Sequence, residues 1–370
     1  MVISWVQQSV VCHMKIRRHL FASAWVLCLT PVGAFSQTTV KPSSADTAWL
    51  AVTAVATPAS SASKTTVQKT AADVQAAAQQ FAAQQKSIAQ SARDFYVTFP
   101  ADARVPQAKK LEATSLLLST WPTPADRGKA AFQTAVVYAN DTTNPPKDRF
   151  EVSALLAAQQ FKIQRNGRAL SDDPVAHEKA ADRLFAEFGA TPQSFDYYLR
   201  IADAADAETS NRVARKVASA PASAAQKKQA QVAIDRHALV GKPLSLTLKS
   251  ADGKALDLRQ AGKVTVLYVW SAQHSAADWA ALARAKQAAP PNTEWVCVAL
   301  DTTAAELAQV SGKAPAKSTH CVLNQTQRAE LVKALKVRRL PFVYVVEGKG
   351  NLAGYGRPMD LPTLLASVNR

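Results

Sequence analysis

The chain is short of cysteine. Its 370 residues hold four, and Cys12 and Cys28 fall within the first 36 positions. Cys297 and Cys321 are the two that remain beyond them, so one internal disulfide is the most the rest of the chain can form. Concentrated charge is also missing. The net charge is +16, yet beyond residue 36 no basic run is longer than two. Neither a basic stripe nor a nucleic-acid motif accompanies that charge, so no nucleic-acid partner is expected. Long hydrophobic runs are absent too. The most apolar stretch, from Leu20 to Val32, is short for a bilayer span. Among the helices, no strict repeat of a known type stands out.

What the N-terminus does carry is an address. From Met14 the chain reads MKIRRHLFASAWVLCLTPVGAFSQ, with Lys15, Arg17 and Arg18 ahead of the apolar stretch. Ala34 and Ser36 stand at −3 and −1 before Gln37, which predicts a cleavable export signal and a periplasmic or secreted protein. Residues 1–13 read as an upstream start-codon extension, with Met1 and Met14 both open as the true start. No stable membrane span is expected after cleavage near Ser36. Val26 and Leu27 before Cys28 do not make the small-residue site that lipid attachment needs. Residues 37–64, rich in Ser, Thr, Ala and Pro, read as a disordered linker.

Residues 65–237 are helical in pattern. One long Ala/Gln-rich helix places Phe81, Ile88 and Phe95 on one face. Pro100, Pro122, Pro145–Pro146, Pro174, Pro192 and Pro221 then mark helix starts, because proline suits a first turn and breaks an interior. Asp172–Asp173, Thr191 and Gly189 supply cap signals. Two hairpins are clear, PVAHEKAADRLFAEFG with PQSFDYYLRIADAA and ETSNRVARKVAS with PASAAQKKQAQVAIDRH. Leu184, Phe185, Phe188, Phe195, Tyr198 and Ile201 are assigned to core between helices rather than to a ligand pocket. Asp203, Asp206 and Glu208 read as solvated helix ends rather than a metal cluster.

Residues 238–370 change character. GKPLSLTLKSADGKALDL alternates like a hairpin about Asp252–Gly253. VTVLYVW, TEWVCVALD, HCVLN and FVYVV are apolar strands, alternating with ADWAALARA, TAAELAQVSG and QRAELVKALKV. This order predicts an α/β layer with its central sheet covered on both faces. The fold class expected for the chain is α + α/β, a helical-hairpin array followed by an α/β domain.

The strand–turn–helix GKVTVLYVWSAQHSAADWAALARA, with KVRRLPFVYVV and EGKGNLAGYG after it, resembles the thioredoxin-like superfamily, specifically its periplasmic TlpA-like thiol-disulfide branch. The resemblance covers residues 240–370, about a third of the chain. It implies a C-x-x-C turn with a Trp four residues before the first Cys, and a cis-proline facing that turn. Here Trp270 and Pro341 hold their places, while His274 and Ala277 occupy the two Cys positions. Closing-hairpin residues Gly350, Gly354 and Gly356 also match. The redox reaction needs a thiolate at the helix start and a resolving Cys three residues on, and His274 and Ala277 supply neither. No catalytic residue and no cofactor is therefore expected.

Two readings of function follow from the resemblance. The first is a redox-inactive binding or scaffolding module in the cell envelope, holding a protein or extended peptide segment in a groove of Trp270, Gln273, His274, Leu340 and Pro341. Main-chain groups beside Pro341 would pair with that segment. The second is an atypical thiol-disulfide oxidoreductase using Cys297 and Cys321, although WVCVAL makes Cys297 a small buried hydrophobe. A metal at His274, His320 and Cys321 falls one ligand short of a structural zinc site. Hydrolysis through Ser271 or Ser275 with His274 lacks an acid partner. At Pro341 the alternative is a trans proline that simply starts a strand.

Overall fold

Proline punctuates the helical part. The computed structural model describes residues 44–56, 71–120, 128–164, 174–244, 246, 248–250, 253–256, 258, 262–271, 276–301 and 318–368. Helices begin at Pro146, Pro174 and Pro192, with Pro100 and Pro221 in the turns shortly before two others. Export signal, Asp172–Asp173, Pro122 and the expected helix TAAELAQVSG lie outside the described residues. Residues 171–370 form one compact unit and the residues before them form another.

The earlier unit contains α1 (Ser44–Ala56), α2 (Ala71–Thr98), α3 (Val105–Ser119), α4 (Lys129–Asn140) and α5 (Pro146–Gln164). Ile88 and Phe95 of α2 are buried as their spacing predicts, and Phe81 is half-buried. Helix α1 corrects an expectation. It falls inside the stretch 37–64 that composition assigns to a disordered linker. Ala45, Ala48, Trp49 and Val52 share one face at helical spacing and pack with Phe95 and Ala108. The Trp49 ring lies 5.0 Å from that of Phe95. Nine of the thirteen residues of α1 are apolar, so it forms an apolar island within a stretch otherwise rich in Ser and Thr.

The later unit opens with four helices, α6 (Pro174–Phe188), α7 (Pro192–Ala204), α8 (Ala207–Ser219) and α9 (Ala224–His237). Gly189, at φ 75°, ends α6 in the left-handed conformation that glycine adopts most cheaply. The Thr191 hydroxyl accepts from the Ser194 amide, and Ser223 with Gln226 makes a capping box. Leu184, Phe195, Tyr198 and Ile201 are buried between helices, with the Phe185 ring 5.9 Å from both Phe195 and Tyr198.

The sheet follows in the same unit. A small hairpin pairs β1 (Leu248–Lys249) with β2 (Ala255–Leu256), turning through Gly253 at φ 85°. Then come β3 (Val264–Trp270), α10 (Ala276–Ala288), β4 (Thr293–Ala299), β5 (Thr319–Val322), α11 (Gln325–Leu335), β6 (Phe342–Val346), β7 (Leu352–Gly356), a 3-10 turn (Pro358–Asp360) and α12 (Leu361–Val368). The five-stranded sheet runs β5-β4-β3-β6-β7. β3 lies parallel to β4 and antiparallel to β6, and β4 lies parallel to β5.

All seven residues of β3 are buried, so both sheet faces are covered. Side chains alternate along a strand, and the two cores divide accordingly. Val266, Tyr268 and Trp270 pack with Trp279 and Leu282 of α10 and Leu361 and Leu365 of α12. Leu267 and Val269 pack on the other side with Leu331 and Leu335 of α11, Phe342, Tyr344 and Tyr355. The composition change near residue 238 suggests a domain boundary there, but the compact unit holding the sheet begins at residue 171. Arg236 of α9 gives the physical reason. It is fully buried, with its guanidinium 4.9 Å from each of the Phe342 and Tyr355 ring centroids. Ala207, Leu239 and Val240 pack against the same core.

Candidate functional site

One end of the sheet collects the residues that the sequence singles out. β3 ends at Trp270, and its register with β6 pairs Val269 with Phe342. Pro341 therefore lies beside the end of β3, near where α10 begins at Ala276. Gly356 pairs with Val343, which brings Arg357 to the same end. The Leu340–Pro341 peptide bond is cis. Leu340 and Pro341 are half-buried. Among the described residues, no backbone–backbone hydrogen bond engages the stretch 338–341, so its main-chain groups stay available.

Trp270 is not on that surface, which corrects its placement in a groove. It is 1% exposed and meets Trp279 edge-on at 5.1 Å. It sits on the α10 side of the sheet with Tyr268 and is a core residue. Gln273 and His274 lie outside the described residues, as does the side chain of Ala277. Of the expected groove residues, the described ones with accessible surface are Leu340 and Pro341.

The two cysteines are free. Register explains why they stay apart. Cys321 is paired with Val298, and Cys297 with His320. Residues next to each other in a strand face opposite ways, so Cys297 and Cys321 lie on opposite faces of the sheet. Cys297 packs in the α10 core and Cys321 in the α11 core. A disulfide between them would require one strand to turn over, so the possible pairing is not made, and the alternative oxidoreductase reading through these thiols loses its support. Burial pushes each thiol up to about 12, which removes the thiolate that exchange chemistry needs.

The same alternation separates His320 from Cys321, so these two cannot ligate one ion. Burial lowers the His320 imidazole below its usual value, favouring the neutral form. Ser271 is buried, which withdraws it from any role as an exposed nucleophile.

The electrostatics of this end depend in part on an ion pair between residues far apart in the sequence. Arg338 Nε lies 3.3 Å from Asp203 Oδ1, at the end of α7. Asp203 also accepts from Gln229 Nε2 at 3.1 Å, so it is engaged rather than a solvated helix end. Asp206 behaves as expected, capping α8 through the Thr209 amide. Arg357 binds Asp360 through Nη2 at 3.0 Å and through its amide at 2.8 Å. Gly356 makes room for this, because a Cβ there would stand 2.9 Å from Asp360 Oδ2. Burial lowers the Arg339 guanidinium below its ordinary value, the like charge of Arg357 adds to that, and Asp203 opposes it. The sequence signal was the pair Arg338–Arg339 directly before Leu340–Pro341, and only contacts reveal that one of the two is neutralised.

Several solved structures are similar to about a third of this chain. The thioredoxin domain of a thiol-disulfide oxidoreductase from Bacteroides vulgatus is 15% identical, covering 34% of this chain and 95% of that one, with a TM-score of 0.31. A secreted Mycobacterium tuberculosis disulfide oxidoreductase is 16% identical, covering 35% and 99%, with a TM-score of 0.29. StoA from Bacillus subtilis is 14% identical, covering 32% and 94%, with a TM-score of 0.26. The C-terminal part is an α/β layer built on a five-stranded mixed sheet. No protein-family model and no curated protein matches the chain. No group of three or more His, Cys, Asp or Glu that could hold a metal occurs among the described residues. No helix among them is long and apolar enough to cross a membrane.

Proposed function

We propose that this protein is a redox-inactive, thioredoxin-like binding module of the cell envelope, holding an extended protein or peptide segment at the sheet end marked by Leu340 and Pro341. The observation that carries the reading is the stretch 338–341, whose backbone pairs with no other described backbone and whose Leu340 and Pro341 keep accessible surface. An extended segment laid there can take main-chain hydrogen bonds in the manner of strand addition. The loss of exchange chemistry rests on His274 and Ala277 at the thiol positions, and on two buried, oppositely facing cysteines. Export rests on residues 14–36, with their basic start and small-residue cleavage site.

A paired assay on the purified chain lacking residues 1–36 tests this. In the presence of dithiothreitol, insulin reduction should proceed no faster than with dithiothreitol alone. Alkylated insulin B chain, which has no thiol to exchange, should bind with micromolar affinity by fluorescence anisotropy. Leu340→Asp should weaken that binding at least about fivefold, the scale expected for losing an apolar contact at an interface. Catalysed insulin reduction, or binding indifferent to Leu340, would overturn the proposal.

A further inference from the structure

The acids near Leu340–Pro341 are already engaged. Asp203 faces Arg338 and Gln229, Asp206 caps α8, and Asp360 holds Arg357. Arg339 has no such partner. Among the described residues no carboxylate forms an ion pair with it, and no group accepts a hydrogen bond from its side chain. It is half-buried, as is the adjacent Leu340, and burial together with the like charge of Arg357 lowers its guanidinium below the ordinary value. A desolvated, unpaired guanidinium is costly, and the cost falls when a carboxylate completes its fork of donors.

We infer that Arg339 selects acidic segments, binding an Asp or Glu side chain of an extended partner laid along Leu340–Pro341. This rests on the binding role proposed above and specifies the chemistry of its partner. Arg338 cannot serve in the same way because Asp203 already neutralises it, and Arg357 is committed to Asp360. Arg339 alone combines a position in the accessible stretch with an open charge. The planar fork matters as much as the charge, since it matches a carboxylate with two parallel bonds where a lysine offers a point charge.

The test uses the chain lacking residues 1–36 and three fluorescein-labelled twelve-residue peptides, acetylated and amidated so that side chains carry the only carboxylates. They differ in having Glu, Gln or Lys at three alternate positions. The Glu peptide should bind about tenfold tighter than the Gln peptide, the effect of one charge-assisted bidentate pair, and the Lys peptide more weakly than either. Arg339→Gln should reduce the Glu peptide to the affinity of the Gln peptide and leave the Gln peptide unchanged. Arg339→Lys should retain part of the preference. Lys333→Gln removes the same charge from the exposed face of α11 and should leave the tenfold preference intact. The melting temperature of Arg339→Gln should be unchanged or higher, since an unpaired charge leaves a desolvated position.

Equal binding of Glu and Gln peptides, both weakened by Leu340→Asp, would overturn the acidic preference while leaving the binding site standing. An equal loss in Lys333→Gln would assign the preference to overall charge and overturn it too. Binding of none of the three peptides would remove the binding site and this inference together.

Discussion

The guanidinium of Arg236 lies 4.9 Å from the ring centroid of Phe342, the residue that follows Pro341. A helix of the hairpin array thereby touches the strand that begins at the candidate site. The contact is dry, because Arg236 is 0% exposed, and its Nη2 donates to Ala202 O at 3.1 Å and Ser210 Oγ at 3.2 Å. One side chain ties α7, α8 and α9 to β6 and β7.

Removing that side chain tests how much it holds. Arg236→Ala leaves a void beneath two rings and two unpaired acceptors, and should destabilise the unit by about 3 kcal/mol. Arg236→Met, which fills the space without a charge to desolvate, should cost under about 1 kcal/mol. Urea unfolding followed by tryptophan fluorescence reads both, since Trp270, Trp279 and Trp295 are buried in this unit. Equal losses for the two variants would show that the charge, not the packing, is what matters.

The cysteines predict a reactivity and a pH dependence. In the chain lacking residues 1–36, neither Cys297 nor Cys321 should react with Ellman's reagent at pH 8, and both should react in guanidinium. Their folded thiols sit at about 12, above an unfolded value near 8.5. A neutral-acid group raised on folding gives stability that is full below the unfolded value and is lost as pH rises toward the folded one. Each thiol should therefore cost about 1.4 kcal/mol per pH unit between roughly pH 9 and 11. Cys297→Ala should flatten the slope of unfolding free energy against pH by about half below roughly pH 10, above which Tyr198, Tyr344 and Tyr355, also raised by burial, add to it.

Lys336 ends α11 at φ 52°, in the left-handed region, where a side chain is strained. Lys336→Gly should stabilise the unit by about 0.5–1 kcal/mol, measured as a rise in the urea midpoint at constant slope. A fall would mean that the lysine side chain makes a contact worth more than the backbone strain.

Gly356→Ala probes the Arg357 side of the site. The added methyl would meet Asp360 Oδ2 at 2.9 Å, where Asp360 is held by Arg357 on both backbone and side chain. The substitution should cost about 1–3 kcal/mol in thermal or urea unfolding. It should also release Arg357, visible as greater exchange of the Arg357 amide hydrogen.

The sequence was most legible where local chemistry decides. Pro146, Pro174 and Pro192 start helices, Thr191 caps one, and the strand order of the last third follows from alternating apolar segments. It was least legible where register and facing decide. VTVLYVW is apolar throughout, so nothing in it says which way Trp270 points, and the residue belongs to the core. The spacing of Cys297 and Cys321 is silent on their faces, because that depends on how β4 and β5 slide against each other. Arg236, in the last turn of a polar helix, reads as a solvated cation until the aromatic rings it covers are known. Asp203 misled for the same reason, since its partner Arg338 stands 135 positions away.

The burial of Arg236 bears on how this fold can be divided. A protein begun at Ala238 would keep every strand and yet present Phe342 and Tyr355 to water, stripped of the cation that covers them. Such a fragment would gain a sticky aromatic patch and self-associate. The chain is better cut between Gln164 and Pro174, which keeps the four helices with the sheet as a fixed shoulder.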